Sequence, residues 1–275
     1  MQGERGSNSH MAVLAMVGDA EVVPCVLSAD VFAALLEGRA DAVVLPIENS
    51  LHGSVAEHYD LLLKSDVRID AESLLRVRHN LMAAPGVRME AIRTVLSHPV
   101  ALSQCREFLA RMPQARALPF YDTAGSVKHV TEERLQDTAA IAPWLAAEVY
   151  GATVLVEGIE DHAQNYTRFH LIRRSGDARF EEEAADKLSA AFAVDHRPGT
   201  LVEALQRMAE AGVNLTKIES RPVPGQPWEY VFFVEFRYEG EAMAETALKA
   251  LGSASRMVKE LGRYRAASAP AETAI

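Results

Sequence analysis

The chain has 275 residues, enough for one large domain or for a medium domain followed by a small one. Its formal net charge is −10 and no lysine- or arginine-rich run is present, so we expect neither nucleic acid nor an acidic membrane as a partner. No apolar run is long enough to span a bilayer, and the two cysteines form no CxxC motif, which favours a reduced, cytoplasmic protein.

The first ten residues, MQGERGSNSH, allow two interpretations. They resemble the scar that an expression vector leaves before a native methionine, in which case Met11 is the true start. Alternatively, Gly3 and Gly6 belong to a glycine-rich loop at the start of a fold. The nine histidines show no HExxH or paired spacing, so the sequence predicts no metal site.

Residues 12 to about 180 alternate short apolar runs with amphipathic stretches. This alternation predicts an α/β fold with mostly parallel strands. The predicted strands are Val22–Val26, Ala42–Ile47, Val67–Val77, Thr94–Leu96, Thr138–Ala142, Val154–Glu157 and Thr167–Ile172. The predicted helices are Val31–Leu36, Ala101–Leu109 and Pro143–Tyr150.

A second region follows the polar segment Arg173–Lys187, which we predict to be a linker. The pattern then restarts in the order βαββαβ, which is the ferredoxin-like unit. Its strands are predicted at Leu188–Val194, Leu215–Arg221, Glu229–Arg237 and Arg256–Arg263, and its helices at Pro198–Ala211 and Glu241–Leu251. The tail AASAPAETAI has the composition of a disordered segment.

The first stretch with chemical potential is PIENSLHGSVAEHYDLLL, residues 46–63. Ser54 and Glu57 have capping-box spacing and predict a helix start. Glu48, Asn49 and Ser50 then lie between a strand end and a helix start, where open α/β sheets bind ligands and free N–H groups favour an anion. The plainer alternative, which spacing alone favours, is that these residues close a turn.

The second stretch is LSHPVALSQCREFL, residues 96–109. Ser97 is predicted to cap a helix that has Pro99 in its first turn. The pattern by itself favours an ordinary amphipathic helix with a buried apolar face. The alternative is a second anion-binding helix start, with Gln104 free to form hydrogen bonds.

The third stretch is NYTRFHLI, residues 165–172. Strand alternation places Thr167 and Phe169 on one face and Arg168 and His170 on the other. A threonine at a strand start often reflects strand propensity alone. It could instead donate a proton or orient a group in a cleft.

The fourth stretch is HRPGTLVEALQRMAEAGVNLTKIESRP, residues 196–222. Pro198 and Gly199 stand at a strand-to-helix turn, where backbone N–H groups are open to a carboxylate. The plain interpretation is turn chemistry, and the functional one is a regulatory site for an amino acid.

In this order, the four stretches resemble the prephenate dehydratase family. IENSxxGSV, SHPxALxQCRxFL and NxTRF are similar to its catalytic signatures, and Arg78–His79–Asn80–Leu81 is similar to a shared segment. PGTLV, NLTKIESRP and WEYVFFVEF are similar to its C-terminal ACT domain. The resemblance implies a lyase that converts prephenate to phenylpyruvate without a cofactor and is inhibited by L-phenylalanine.

The resemblance also implies an architecture. Two α/β lobes with a cleft between them, similar to type II periplasmic binding proteins, would occupy residues 1–180. One lobe would comprise residues 1–76 with 158–180, and the other residues 77–157. An ACT domain of the ferredoxin-like βαββαβ type would occupy residues 187–265 and form a homodimer or homotetramer. The opening segment then reads as a glycine loop, with Ser7 or Ser9 capping the first helix, and a further strand is expected before Gln2.

Site residues follow from the resemblance, position by position. Thr167 is the leading candidate for assisting the departing hydroxyl, and Asn49, Gln104 and Glu48 are its implied catalytic partners. The implied substrate-binding residues are Ser7, Asn8, Ser9, Ser50, Ser54, Ser97, Arg168 and Phe169. The implied effector-binding residues are Gly199, Thr200, Leu201, Val202, Asn214, Leu215, Glu219, Ser220 and Arg221.

Two other functions remain open at the level of sequence. Arogenate dehydratase acts on the amino-acid analogue of prephenate and shares the same fold and motifs. A non-catalytic amino-acid sensor would combine a binding-protein-like domain with an ACT domain, although the TRF, IENS and QCR motifs argue against it.

Overall fold

A computed structural model describes residues 1–177, 184–223, 225–226 and 228–268 of the chain. The described strands form three sheets of four, five and four strands. Part of the predicted linker, residues 178–183, and part of the predicted tail, residues 269–275, lie outside the described residues.

The first lobe is built on a four-stranded sheet in the order β2-β1-β9-β3. Its strands are β1 (Val43–Asn49), β2 (Gly53–Ser54), β3 (Val67–Arg76) and β9 (Tyr166–Arg174). The central strand β9 returns from the far end of the second lobe and runs antiparallel to both neighbours. The helices of this lobe are α1 (Asn8–Val17), α2 (Ser28–Leu36) and α3 (Ala56–Lys64).

The second lobe is built on a five-stranded sheet in the order β6-β5-β7-β4-β8. Its strands are β4 (Asn80–Ala83), β5 (Thr94–Ser97), β6 (Arg116–Pro119), β7 (Thr138–Ala142) and β8 (Thr153–Val156). Its helices are α4 (Pro99–Ser103), α5 (Arg106–Ala110), α6 (Thr123–Glu132) and α7 (Leu145–Tyr150), with a 3₁₀ turn at Met89–Ala91.

The third sheet has the order β11-β12-β10-β13 and confirms the predicted βαββαβ unit. Its elements are β10 (Lys187–Ala193), α8 (Thr200–Glu210), β11 (Asn214–Pro222), β12 (Tyr230–Arg237), α9 (Glu241–Ser253) and β13 (Met257–Tyr264). One face of this sheet packs on α8 and α9 through Leu188, Phe192 and Phe236. The other face packs on the first lobe through residues such as Ala191, Phe233 and Leu261.

Several local predictions were wrong. Among the named strands of the described chain, only β5–β6 and β5–β7 pair in parallel, because β9 and β4 run against their neighbours. Residues 22–26 form no named strand and make a single bridge between Cys25 and Gln2. The predicted helix Ala101–Leu109 is split into α4 and α5, because the Asp161 carboxylate accepts from the N–H groups of Arg106 and Glu107 and starts a new helix there.

Of the predicted helix caps, the one at the start of α1 is present and those of α3 and α4 are not. Ser7 is the N-cap of α1, as predicted, and its hydroxyl accepts from His10 N at 3.4 Å. Ser54 does not cap α3, because the N-cap position is occupied by Val55, which has no side-chain acceptor. Ser97 does not cap α4, since His98 takes that position and accepts from Val100 N. No helix among the described residues is long and apolar enough to cross a membrane.

Candidate active site

Asn49 and Thr167 lie directly opposite each other at the end of the β1–β9 ladder. The Asn49 amide nitrogen donates to Thr167 Oγ1 at 3.1 Å and to Asn165 Oδ1 at 2.7 Å. Asn49 Oδ1 accepts from the N–H groups of Leu51 and His52, each at 3.0 Å. Asn49 therefore closes a turn and also fixes the hydroxyl of Thr167. The turn and the site residue, which were alternatives at the level of sequence, are compatible in the structure.

Thr167 is nearly buried, and its hydroxyl accepts the Asn49 bond. A hydroxyl that accepts in this way keeps its own hydrogen to donate. Beside it, Asn165 is fully buried, and its Nδ2 has no hydrogen-bond partner among the described residues. Buried polar groups are nearly always hydrogen-bonded, so this donor has room for a partner such as a water molecule or a bound group. Asn165 belongs to the NxTRF motif, which is the signal by which the sequence could have identified it.

Gln104 links the two lobes. His79 Nε2 donates to Gln104 Oε1 at 2.8 Å, and the Gln104 amide donates to His52 Nδ1 at 3.1 Å. His52 lies in the first-lobe loop that Asn49 holds, whereas Gln104 and His79 belong to the second lobe. The hydrogen bonds thus run from Thr167 through Asn49 and His52 to Gln104. We refer to Asn49, His52, His79, Gln104, Asn165 and Thr167 as the cleft network.

Burial lowers the pKa of His79, so its imidazole is neutral at physiological pH. Its Nε2 carries the hydrogen, because the partner atom is the Gln104 carbonyl oxygen. Its Nδ1 is buried and has no hydrogen-bond partner among the described residues. The network is therefore a set of neutral donors and acceptors from both lobes. His52 was not identified as a site residue from the sequence, because its spacing from other residues does not indicate a contact with Gln104 across the cleft.

The glycine loop lines a separate cavity of about 440 Å³ between the lobes. Ser9 lies on its wall together with Gln2, Gly3, His98 and Asp122. Glu4 ties the loop to the second lobe, since it accepts from the Tyr121 hydroxyl at 2.9 Å. Burial raises the pKa of Asp122. Ser7 is occupied as the cap of α1, and Asn8 Oδ1 is buried with no partner in the described part of the chain.

Other predicted site residues lie outside the cleft network. The Arg168 and Glu48 side chains meet on the opposite face of the sheet from Thr167, 3.0 Å apart, in contact with the third sheet. Phe169 is in the hydrophobic core of the first lobe, because it alternates with Arg168. Ser54 Oγ donates to Glu219 at 2.8 Å, at the boundary with the third sheet.

Two serines that were predicted to bind substrate instead form hydrogen bonds with backbone groups. Ser97 Oγ donates to Ile141 O at 2.6 Å and joins β5 to β7. Ser50 Oγ accepts from Tyr166 N at 3.0 Å and holds the loop to β9. Ser50 thus supports the loop and strand that carry the network, whereas Ser97 stabilises the sheet of the second lobe. Among the described residues no group of three or more histidine, cysteine, aspartate or glutamate side chains is placed to hold a metal ion.

A cavity of about 380 Å³ lies at the start of α8. It is lined by Gly199, Thr200, Leu201 and Val202, which are four of the predicted effector residues, and by aromatic side chains from residues 228–232. The predicted effector residues of β11 do not line this cavity; they are Asn214, Leu215, Glu219, Ser220 and Arg221. Two of them face the first lobe, where Arg221 forms a 2.9 Å ion pair with Asp60 and Glu219 accepts from Ser54.

Known proteins resemble the chain over nearly its whole length. Residues 1–177 match the prephenate dehydratase family and residues 191–253 match the ACT domain. An arogenate dehydratase/prephenate dehydratase of Arabidopsis thaliana is 38% identical over 96% of this chain and 71% of its own length. The structure of an Arthrobacter aurescens prephenate dehydratase in complex with L-Phe is 32% identical, with a TM-score of 0.87 over 96% of this chain and 88% of that one.

The structure of a quorum-quenching acylase is equally similar, with 32% identity and a TM-score of 0.87 over 98% of this chain and 97% of that one. The family match covers well over half of the chain, and it includes every residue of the cleft network. The chain therefore belongs to the prephenate dehydratase family and carries an ACT domain after its dehydratase domain.

Proposed function

We propose that the protein is a prephenate dehydratase, which releases water and carbon dioxide from prephenate to give phenylpyruvate. The observation that carries the proposal is the 3.1 Å hydrogen bond between Asn49 and Thr167, placed within a network to which both lobes contribute. The residues of this network fall within the part of the chain that matches the dehydratase family.

The proposed reaction requires the protein to bind the substrate and to assist one leaving group. Loss of the ring hydroxyl and the ring carboxylate makes an aromatic ring, so the driving force lies in the substrate. The enzyme must hold a dianion and assist the departing hydroxyl. A positioned proton donor typically contributes about 10²–10⁴-fold to such a step. Thr167 is a weak acid, so we assign it an orienting hydrogen bond to the leaving oxygen, with Asn49 fixing its rotamer.

Neutral donors replace the arginine that the sequence suggested for carboxylate binding. Arg168 is fully engaged by carboxylates on the other face of the sheet. The unpaired Asn165 Nδ2 is a buried donor beside Thr167, and we propose that it binds a substrate oxygen. Gln104 and the neutral His79 then shape the second-lobe side of the site. No metal or organic cofactor has a role in this proposal.

We further propose that L-phenylalanine binds at the start of α8 and inhibits the enzyme. The cavity there combines open backbone N–H groups with apolar walls, which suits an aromatic amino acid. Inhibition then requires that phenylalanine binds one global state of the protein better than another. The relative from Arthrobacter aurescens was solved with L-Phe bound.

A homodimer or homotetramer through the ACT domains is part of the same proposal. Large apolar side chains lie exposed on the third sheet and beside it, and exposed apolar patches mark interaction surfaces. They are Val202, Leu215, Ile218, Trp228 and Tyr230. Because Cys25 and Cys105 are both free thiols, we place the protein in the cytoplasm.

The test is the rate of phenylpyruvate formation from prephenate, with and without phenylalanine and with a chelator present. The same assay with arogenate decides between the two substrates, since the Arabidopsis relative carries both names. Turnover of neither substrate, together with tight phenylalanine binding, would identify a non-catalytic sensor.

An acylase is a second candidate because of the equally similar acylase structure. Ser103 Oγ lies 3.2 Å from His52 Nε2, which is the spacing of a nucleophile and a base. However, His52 Nδ1 accepts from Gln104, so Nε2 carries the hydrogen and donates to the serine, which in turn donates to Val100 O at 2.7 Å. This arrangement disfavours proton abstraction from Ser103. Hydrolysis of an N-acyl amide that is lost in Ser103→Ala would support the acylase.

A further inference from the structure

Six charged side chains meet where the third sheet covers the first lobe. We call them the interdomain cluster. Three come from the dehydratase domain and three from the ACT domain: Glu48, Glu72 and Arg168, and Lys187, Lys217 and Glu235.

Arg168 is at the centre of the interdomain cluster. Its guanidinium contacts Glu48 and Glu72, each at 3.0 Å, and donates to Glu235 of β12. Lys187 bridges Glu72 at 2.7 Å and Glu235 at 2.9 Å. Lys217 reaches Glu48 at 2.8 Å. The two domains are therefore joined through the same arginine.

The cluster is balanced in charge, and its centre around Arg168, Glu72 and Glu235 is shielded from water, whereas Glu48 lies at its more exposed edge. The cluster contains three carboxylates and three cations, and the Arg168 side chain is 11% exposed while that of Glu235 is 4% exposed. A buried ion tolerates little displacement, because removal of one partner leaves the other charge uncompensated. The position of Arg168 is consequently fixed by Glu235 of the ACT sheet, and Glu48 is held at the edge of the cluster by its ion pair with Lys217.

Glu48 directly precedes Asn49 in the chain, and Arg168 directly follows Thr167. Glu48 is paired with Arg168 in the β1–β9 ladder, and the next pair is Asn49 with Thr167. Neighbouring side chains of a strand point to opposite faces. The interdomain cluster therefore contacts strands β1 and β9 on one face of the sheet. The adjacent residues, Asn49 and Thr167, point to the other face and form the centre of the cleft network.

We propose that Arg168, anchored by Glu235, is a positioning residue for Thr167 and Asn49, so that the ACT sheet supports catalysis even without an effector. The kinetic form of this inference rests on the proposed dehydratase function. A displacement of reacting groups by about 1 Å can reduce the rate about 10²-fold. Loss of the Glu235 charge would act through that displacement, although Glu235 contacts no residue of the cleft network.

The first variant is Glu235→Gln, which preserves shape and removes the charge. We expect kcat for prephenate to fall by up to about 10²-fold, with a smaller change in KM, because the substrate-contacting groups are all retained. The matched control is Glu245→Gln in α9, which also removes a carboxylate from an arginine, Arg263, but is exposed and pairs with no member of the cluster. We expect its kcat to equal that of the wild type.

The second variant separates positioning from stability. Glu235→Gln combined with Lys187→Gln leaves two carboxylates and two cations, so the charge balance returns but the Arg168 anchor does not. We expect the melting temperature to recover in this variant while kcat stays low. Recovery of kcat together with the melting temperature would overturn the inference, as would an unchanged kcat in Glu235→Gln.

A readout without substrate keeps this inference separate from the proposed function. We expect Glu235→Gln to speed backbone hydrogen exchange in residues 46–52 and 165–169, and to leave the second-lobe strand Thr138–Ala142 unchanged. If the wild type shows no turnover, the proposed function fails, but this exchange pattern still supports the coupling. Unchanged exchange at both segments would overturn it.

Discussion

Asn49 donates to the hydroxyl of Thr167 at 3.1 Å from the facing position of the neighbouring antiparallel strand. The same asparagine accepts from the backbone of the next loop, so its orientation is fixed from both ends. This places one hydroxyl at the end of the ladder in a single orientation, with its hydrogen directed away from Asn49.

Removal of that hydroxyl is the most direct test of the site. In Thr167→Ala we expect kcat to fall by about 10²–10³-fold, because one preorganised hydrogen bond to the leaving oxygen is lost. The free energy of unfolding should change by only about 1 kcal/mol, the usual net value of one hydrogen bond. Steady-state kinetics and urea denaturation measure the two effects separately. Thr167→Ser should retain most of the activity, and a Thr167→Ala enzyme with near-normal kcat would exclude the assignment.

Gln104 provides a second test, since it joins His52 of one lobe to His79 of the other. Gln104→Ala leaves the buried His79 without a partner, at a cost of about 1–3 kcal/mol. We expect kcat/KM to fall by about ten- to hundredfold if that cost appears in the closed, catalytic state. His52→Ala should have a smaller effect, because His52 is exposed. Gln136→Ala is the control, because its side chain bonds only the nearby Arg134 O in the described structure; equal losses in all three variants would contradict the bridging role.

The sequence predicted short-range features better than long-range ones. Alternation in β9 correctly separated Thr167 from Arg168, and the order of elements in the ACT domain was correct. The direction of β9 was not predictable, because it is decided by a return from the second lobe. Ser54 and Arg168 were assigned to substrate because their actual partners, Glu219 and Glu235, are distant in sequence. No local pattern encodes such contacts.

Acid should destabilise the protein through its buried histidines before Glu72 and Glu235 titrate. His58, His79 and His170 are buried, and burial lowers the pKa of each below the ordinary 6.5. Below about pH 6.5 the unfolded chain binds protons that the folded protein excludes, so stability falls as the pH falls. Each such histidine contributes up to about 1.4 kcal/mol per pH unit until its folded pKa is reached.

The carboxylates act at lower pH. Burial would raise the pKa of Glu72 and of Glu235, but it is outweighed: by His170, Lys187 and Arg168 at Glu72, and by Arg168 and Lys187 at Glu235. Both pKa values are therefore lowered, and the stabilisation is lost only below about pH 4.5. Urea denaturation at about pH 7.5 and pH 5.5 isolates the histidine effect. His58→Gln should reduce the slope by about one proton. Equal stability at the two pH values would refute this account.

Gly199 tests the effector cavity. It precedes α8 with a φ of 86°, and a Cβ there would meet open space, so Gly199→Ala strains the backbone without a clash. The left-handed conformation costs a non-glycine residue about 1–2 kcal/mol, and relief of that strain moves the loop that lines the cavity. We expect weaker phenylalanine inhibition and unchanged uninhibited kcat. Gly252→Ala in α9 is the control, since a Cβ there meets nothing and alanine favours the helix; an unchanged phenylalanine response in Gly199→Ala would place the effector elsewhere.

Gly262 tests the packing of the ACT sheet on the first lobe. This residue of β13 lies so close to the backbone of Ile69 in β3 that an added Cβ would overlap its carbonyl oxygen and stand 2.8 Å from its nitrogen. Gly262→Ala must therefore separate the two sheets, and overpacking of this kind costs about 1–3 kcal/mol. We expect a lower melting temperature together with a lower kcat, because the same separation stretches the interdomain cluster. Gly176→Ala, where a Cβ meets open space, should change neither quantity. A Gly262→Ala protein with wild-type melting temperature would mean that the sheets slide past each other without cost, and the close contact would then have no role in positioning the catalytic strands.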